Sequence, residues 1–424
     1  MLRSMFSGVS GLRSHQTMMD VIGNNIANVN TNGFKSSQVV FQDMLSQLLK
    51  GAGAPTATGG GTNPAQIGLG VKVGGIVTNY AQGAAQLTGR STDLSISGDG
   101  FFVTRQGADA LYTRAGSLSF DSSGRLVTQD GGIIQGWMAD NGVVNTNAAV
   151  TDFVLPINQA LPPRPTANMV LGGNLPADLT TAPFAPTPTV VTTSITVYDT
   201  QGNPVPLSFR FTKTAADTWS IQPLAADGPD ADTLPELVGA AQNLVFDPAT
   251  GAITAPAAPN TLAITAADLA AAGVNNTGPL TLSLAAITQY GNTKTLSAQS
   301  QDGYAMGSLQ SFNIAQDGTV AGVFSNGLTR AVGRIALASF TNPGGLEKAG
   351  GSSYRSTANS GLANVGDAGT GGRGTVAGGT LEMSNVDLAQ EFTNLIVAQR
   401  GFQANSRVIT ASDELLQDLV NLKR

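Results

Sequence analysis

The chain has 424 residues, 41% of them hydrophobic and only 12% charged, with 52 glycines, one histidine and no cysteine. The missing cysteine excludes disulfides, thiolate nucleophiles and cysteine-held metals, and a single histidine excludes histidine clusters. The formal charge of −6 lies within residues 151–300, which hold four basic and ten acidic side chains. No basic patch interleaved with aromatics marks a nucleic-acid surface.

From the N-terminus, Leu2, Met5, Val9, Leu12, Met19 and Ile26 recur at heptad spacing, with Gln16, Gly23 and Asn30 at the other seam positions. The pattern predicts a helix over about residues 3–29, stopped by Asn32-Gly33. The start lacks the apolar core and small-residue cleavage site of a secretory signal, and no run has the length of a membrane span. Residues 51–66, GAGAPTATGGGTNPAQ, read as an extended connector. From 67 to 147, short alternating runs separated by Asp-Gly turns read as β-hairpins. A proline-rich tether leads into a second β region over about 188–290, and a third β stretch, 303–340, has the texture of the first.

After a Gly-rich segment, the C-terminus mirrors the beginning. Leu388, Phe392, Leu395, Phe402, Ile409, Leu416 and Val420 follow a 4-3 repeat, with Gln399, Ser406 and Asp413 at its polar places. The sequence SNVD, Ser384 to Asp387, has the form of a capping box. About 38 helical residues would span ~57 Å, too long to bury a stripe against a small domain without other helices. Ile396, Val397, Val408 and Leu419 lie off the main seam, which favours packing between copies.

Candidate chemistry is sparse. His15 sits beside a seam position and reads as a surface or interface residue. Asp227, Asp230 and Asp232 lack the glycine and distant glutamate of a calcium loop. Asp99 and Asp121 lie in turn sequences, where aspartate serves its own backbone. The Gly-rich loops do not pass from strand to helix with a Lys-Ser or Lys-Thr ending. No catalytic constellation, cofactor site or metal site is expected.

Two stretches carry a resemblance. NNIANVNTNGFK, Asn24 to Lys35, resembles the N-terminal signature of the bacterial flagellar axial proteins, the rod and hook subunits. LEMSNVDLAQEFTNLIVAQRGFQANSRVITASDELLQDLVNL, Leu381 to Leu422, resembles their paired C-terminal signature. SGDGFF (Ser97 to Phe102) and YTRAGSLSFDSSGRLVTQDG (Tyr112 to Gly131) are similar to the family's inner β domain. VYDTQGNPVPLSFRFTKTAADTW (Val197 to Trp219) and GSLQSFNIAQDGTVAGVFSNG (Gly307 to Gly327) resemble its hook members, since rod members are typically shorter.

The resemblance implies a self-assembling subunit of a curved tube that transmits torque, located at the extracellular flagellum. Its implied partners are copies of itself, the rod, the hook cap, the hook–filament junction proteins and the type III export apparatus. No nucleic acid or membrane insertion is implied. Export would proceed without a cleaved signal. A rod subunit is the alternative within the family, and a secreted glycan-binding or peptidoglycan-cleaving β protein the alternative outside it.

The expected architecture is α+β and multidomain: a coiled-coil-like helical core with two nested, mainly-β domains. Residues 1–30 and 384–424 would form the core, 31–70 a connector, and 71–148 with 295–365 an inner β domain. Residues 150–290 would form an outer β domain, and 366–383 a Gly-rich connector. The expected polymer interface comprises the seam residues Leu2, Met5, Val9, Leu12, Met19, Ile26, Leu388, Phe392, Leu395, Gln399, Phe402, Ile409, Leu416 and Val420. Asn30 joins them as a seam position, and Asn24, Asn25 and Asn28 as lateral contacts.

Overall fold

In the computed structural model the heptad-patterned ends are helices, Leu2–Ala27 and Leu388–Asn421, and almost all regular structure between them is strand. The structure describes residues 2–55, 59–157, 160–177, 190–224, 241–271, 274–276, 278–291 and 293–421. For Leu2, Asp268, Ala271, Leu419 and Val420 it describes the backbone alone. Asp227, Asp230 and Asp232 lie outside the described residues. Two compact units emerge: Met1–Leu155 with Ser311–Gly322 and Thr329–Arg424, and Pro156–Gln310 with Val323–Leu328.

The N-terminal helix ends where asparagines accumulate. Asn28 N–H is shared between the carbonyls of Asn24 (3.2 Å) and Asn25 (3.1 Å), and Val29 N–H bonds Ile26 O at 3.3 Å. This tightening to three-residue bonds closes the last turn. Asn32-Gly33 is therefore not the stop, since the helix has ended at Ala27. The C-terminal helix begins at Leu388. Its cap is Asp387, whose Oδ1 accepts the N–H groups of Ala389 (2.9 Å) and Gln390 (3.2 Å). Ser384, the expected capping-box residue, lies upstream of the helix and accepts from Val386 N–H at 3.4 Å.

In the first unit, strands Thr329–Ile335, Ile133–Asp140, Phe101–Gln106, Asp109–Thr113, Ser353–Arg355 and Glu347–Gly350 lie side by side in that order. Their apolar face buries Phe101, Val103, Tyr112, Trp137, Phe340 and Tyr354. Phe101 meets Tyr80, Phe340 and Tyr354 with ring centroids 5.7–5.9 Å apart, within the favourable range for tilted and edge-on aromatic pairs. Asp121 serves its turn: Oδ1 accepts Ser123 and Arg125 N–H, each at 2.8 Å. These bonds, the one from Arg125 foremost, hold its carboxyl below the usual aspartate range.

The second unit contains a meander of five antiparallel strands, Val190–Tyr198, Pro204–Ala215, Thr218–Leu224, Gln242–Phe246 and Ile253–Ala255. A four-stranded sheet, ordered Thr261–Ile264, Leu280–Tyr290, Asn168–Pro176, Ser297–Gln301, contributes to the same apolar cluster, where Leu171 and Leu282 join Phe209, Phe211 and Trp219. Asn168–Pro176 and Leu280–Tyr290 run parallel, which no local pattern announces.

The segments expected as connectors are strands. Ser37–Asp43 pairs with Val71–Thr78, and Ser46–Lys50 with Ala65–Gly68, so much of residues 31–70 belongs to hairpin ladders. Thr375–Gly378 pairs with Leu94–Ser97, and Thr380–Glu382 with Ala85–Leu87, within the expected 366–383 connector. Ser297–Gln301 pairs with Asn168–Pro176 and falls in the second unit, as do residues 303–310 and 323–328 of the expected inner domain. The side chains of Ser297–Gln301 are mostly exposed and polar, and only backbone bonds assign it.

Candidate interaction site

The two helices pack antiparallel. Ser4 Oγ lies 3.4 Å from Ser412 Oγ, and further along, Asn25 Nδ2 donates to Glu391 Oε1 at 3.2 Å. Between these, a Cβ on Gly8 would sit 3.1 Å from Ile409, one on Gly11 2.7 Å from Asn405, and one on Gly401 2.5 Å from the His15 ring. Among the described side chains, the buried positions are Gly8, Gly11, Ser14, Ile22 and Asn25 on one helix and Ala398 and Ser412 on the other. Small side chains thus let the backbones approach, and the intrachain contact follows a small and polar stripe.

The heptad seam lies beside that stripe. Met5, Leu12, Met19, Ile26, Leu395, Phe402, Ile409 and Leu416 are half-buried, while Val9, Leu388, Phe392 and Gln399 are exposed. Leu2 and Val420 have side chains outside the described residues. The seam residues thus flank the intrachain contact. Phe6, Val9, Phe392, Ile396, Val397, Val408 and Leu415 leave apolar surface uncovered, at exposures from 38 to 70%.

The hairpin running from residue 37 to residue 78 extends this surface. Leu45, Leu48, Leu49, Ile67, Ile76 and Val77 are all exposed. Where the hairpin approaches the N-terminal helix, Phe6, Val9, Arg13, Met44, Leu69 and Val73 line a cleft of about 430 Å³. His15 meets the Phe41 ring edge-on at 5.6 Å, so it lies at a contact within the chain.

The asparagines are divided in purpose. Asn25 is 1% exposed: Nδ2 donates to Ser37 O (2.8 Å) and to Glu391, and Oδ1 accepts Ser37 N–H (3.0 Å). Its amide is consumed inside the chain, which corrects its expected lateral role. Asn28 Nδ2 donates to Asn24 O (2.9 Å) and Oδ1 (3.0 Å), and Thr31 donates to Asn28 Oδ1 (3.0 Å), so Asn24 and Asn28 finish the helix. Asn30 is exposed, and with Asn28, Asn32, Phe34, Gln129, Asp130 and Lys348 it lines a cleft of about 500 Å³. Gly33 adopts φ +69° and donates its N–H to Glu382 O at 2.8 Å. A Cβ there would lie 2.6 Å from Ala115 N, so this position needs glycine for close approach and backbone angle.

Beneath these surfaces lies a junction that sequence reasoning missed. Lys35, Arg114 and Glu382 are all buried. Lys35 Nζ meets Glu382 Oε1 at 2.6 Å and donates to Ala81 O at 2.7 Å; Arg114 reaches Glu382 Oε2 at 3.4 Å. Burial holds the Lys35 ammonium below its usual range, opposed by the hydrogen bond and charge of Glu382. Asn385 braces the same place, accepting Ser36 N–H (2.8 Å) and donating to Asn79 O (2.8 Å). The available signal was a lysine and a glutamate inside otherwise weakly charged apolar stretches, NGFK and LEMSN. Among the described residues no group of three or more His, Asp or Glu is arranged to hold a metal ion. No helix among them is long and apolar enough to cross a membrane.

Four family descriptions match the chain in order. Residues 5–35 match "Flagella basal body rod protein" and 95–161 match "Flagellar hook protein FlgE/F/G D1 domain". Residues 166–304 match "Flagellar basal body protein FlaE D2 domain", and 377–422 match "Flagellar basal body rod FlgEFG protein C-terminal". The chain is 42% identical over 450 residues to the flagellar hook protein FlgE of Borreliella burgdorferi, with all of both chains covered. It is 33% identical over 425 residues to the flagellar basal-body rod protein FlgG of Bacillus subtilis, again with full coverage. The crystal structure of Helicobacter pylori flagellar hook protein FlgE2 shares the fold with a TM-score of 0.53 at 15% identity. That likeness covers 70% of this chain and all of the other.

Proposed function

The chain belongs to the flagellar hook protein FlgE family as a structural subunit of the hook, and from that premise we propose that its copies assemble through the outward apolar faces of the terminal helices. The single observation that carries this mode is the arrangement of the helical pair. The helices satisfy one another along a small-residue stripe, and Phe392, Ile396, Val397 and Leu415 remain exposed outside it. Such a surface on a structural subunit marks a protein contact.

In this reading the helical pair becomes a coiled-coil-like polymer core, with two nested, mainly-β domains inserted in the chain between its helices. The seam residues complete their burial between copies, and Asn30 with the cleft it lines supplies further contacts between them. Contacts between non-identical patches generate an open helical polymer. The assembled tube bends while carrying torque from rod to filament, acting as a universal joint. The rod, hook cap and hook–filament junction proteins are its expected neighbours. Export through the type III apparatus without a cleaved signal is part of the same proposal.

The family relationship places the protein at the flagellum, and the family is structural, with no known enzymatic activity. The full-length similarity to a rod protein favours a rod subunit as the second reading. Expression in a hookless strain tests the choice: restored curved hooks support the hook reading, and restored rods without hooks contradict it.

A further inference from the structure

We infer that the buried Lys35–Glu382–Arg114 triad is the positioning joint of the subunit, fixing the direction in which the helical pair leaves the β strands of the first unit. The inference rests on the assembly reading for its consequence, because copies meet in register only if that direction is held.

The geometry concentrates both chain passages on one carboxylate. Lys35 follows the N-terminal helix by eight residues, and Glu382 precedes the C-terminal helix by six. Glu382 Oε1 accepts Lys35 Nζ (2.6 Å) and Gly83 N–H (3.0 Å), Oε2 accepts Arg114 (3.4 Å), and the Glu382 main-chain carbonyl accepts Gly33 N–H (2.8 Å). Lys35 and Glu382 are 347 positions apart, so the contact closes only when both ends of the chain are in place. Arg114 is itself fixed over the Phe101 ring at 5.3 Å, in the aromatic core of the β strands.

Stability alone does not account for the choice of charges. A buried ion group can often be replaced by apolar residues of similar volume without loss, because desolvation offsets much of the attraction. Here two cations face one carboxylate at exposures of 0–3%, leaving an excess positive charge buried. Charge-assisted hydrogen bonds add what apolar packing lacks, which is direction. Apolar side chains would tolerate several orientations of the passages; the carboxylate, bonded on both oxygens, accepts few.

The test uses the full chain, whose lack of cysteine allows clean spin labelling after Asp20→Cys and Ser122→Cys at two exposed sites of the first unit. Pulsed electron spin resonance on the unassembled chain should give a narrow distance distribution. Adding Lys35→Met, Arg114→Met and Glu382→Met together should keep the thermal midpoint of the β core, broaden that distribution, and lower polymer yield on the order of tenfold or more. An unchanged distribution overturns the inference, as does a broad one in the parent, or a broadened one with normal polymer yield. If the triple variant fails to fold, Glu382→Asp decides: it keeps the charge but withdraws the carboxylate, and an unshifted, equally narrow distribution overturns the joint. Failure of the parent to polymerise would count against the assembly reading, and the distances alone would then judge the joint.

Discussion

Replacing Ile396 and Val397 together by serine should raise the concentration needed for polymerisation while leaving the single chain folded. Their side chains are 59% and 57% exposed, so the substitution removes little intrachain packing. Full burial of such a side chain contributes about 1.5–3 kcal/mol, and the portion still available is a little over half, or about 1–1.5 kcal/mol each. The pair then contributes about 2–3 kcal/mol per subunit, equivalent to a change of roughly 30- to 150-fold in association. Ultracentrifugal pelleting across a concentration series measures the critical concentration directly. Near-ultraviolet circular dichroism, dominated by buried Trp137 and Trp219, checks that the β cores persist. A critical concentration within about twofold of the parent's, or about 0.4 kcal/mol, would refute the assignment of this face to copy–copy contact.

Glycine substitutions in the N-terminal helix should separate by position. Gly23 has no atom within 4 Å of an added Cβ, so Gly23→Ala should strengthen the isolated helix by up to about 1 kcal/mol. Gly11→Ala must displace Asn405, and should cost about 1–3 kcal/mol of helix pairing; far-ultraviolet dichroism during urea titration reads both. Asn25→Ala leaves Ser37 N–H and C=O without their amide partner and should lower stability by about 1–3 kcal/mol, seen as faster hydrogen exchange at residues 22–37. Burial raises the Glu391 carboxyl above its ordinary value of 4.5, opposed by its bond from Asn25. A raised carboxyl stabilises the fold while protonated, and that contribution is lost as pH climbs through the folded value. Glu391→Gln should therefore flatten the decline in helix-pair stability just above pH 4.5; an unchanged decline would argue for another group.

What could be read without coordinates follows from where the signals reside. The terminal helices were legible because an apolar period survives along both, even though Asn24, Asn25 and Asn28 crowd one end. Turn aspartates such as Asp121 were legible because their partners lie within four residues. The pairing stripe was not, since heptad reading weighs large apolar side chains and Gly8, Gly11 and Gly401 act by being small. The hairpin through residues 46–68 escaped because its ladder is backbone-made and its apolar side chains stay exposed in the single chain. Asp387 displaced Ser384 as the cap because both fit the pattern and only the position of the first turn decides. The buried triad was invisible for a different reason: its members are 347 and 268 positions apart, and only the tertiary fold brings them together.

The central claim, that copies join through the faces the single chain leaves exposed, is met most directly by electron cryomicroscopy of tubes assembled from this chain. The account predicts terminal helices at the inner radius, with Phe392, Ile396, Val397 and Leu415 buried against neighbouring copies. Tubes in which those four side chains face solvent, with copies held together by the second unit alone, would contradict it.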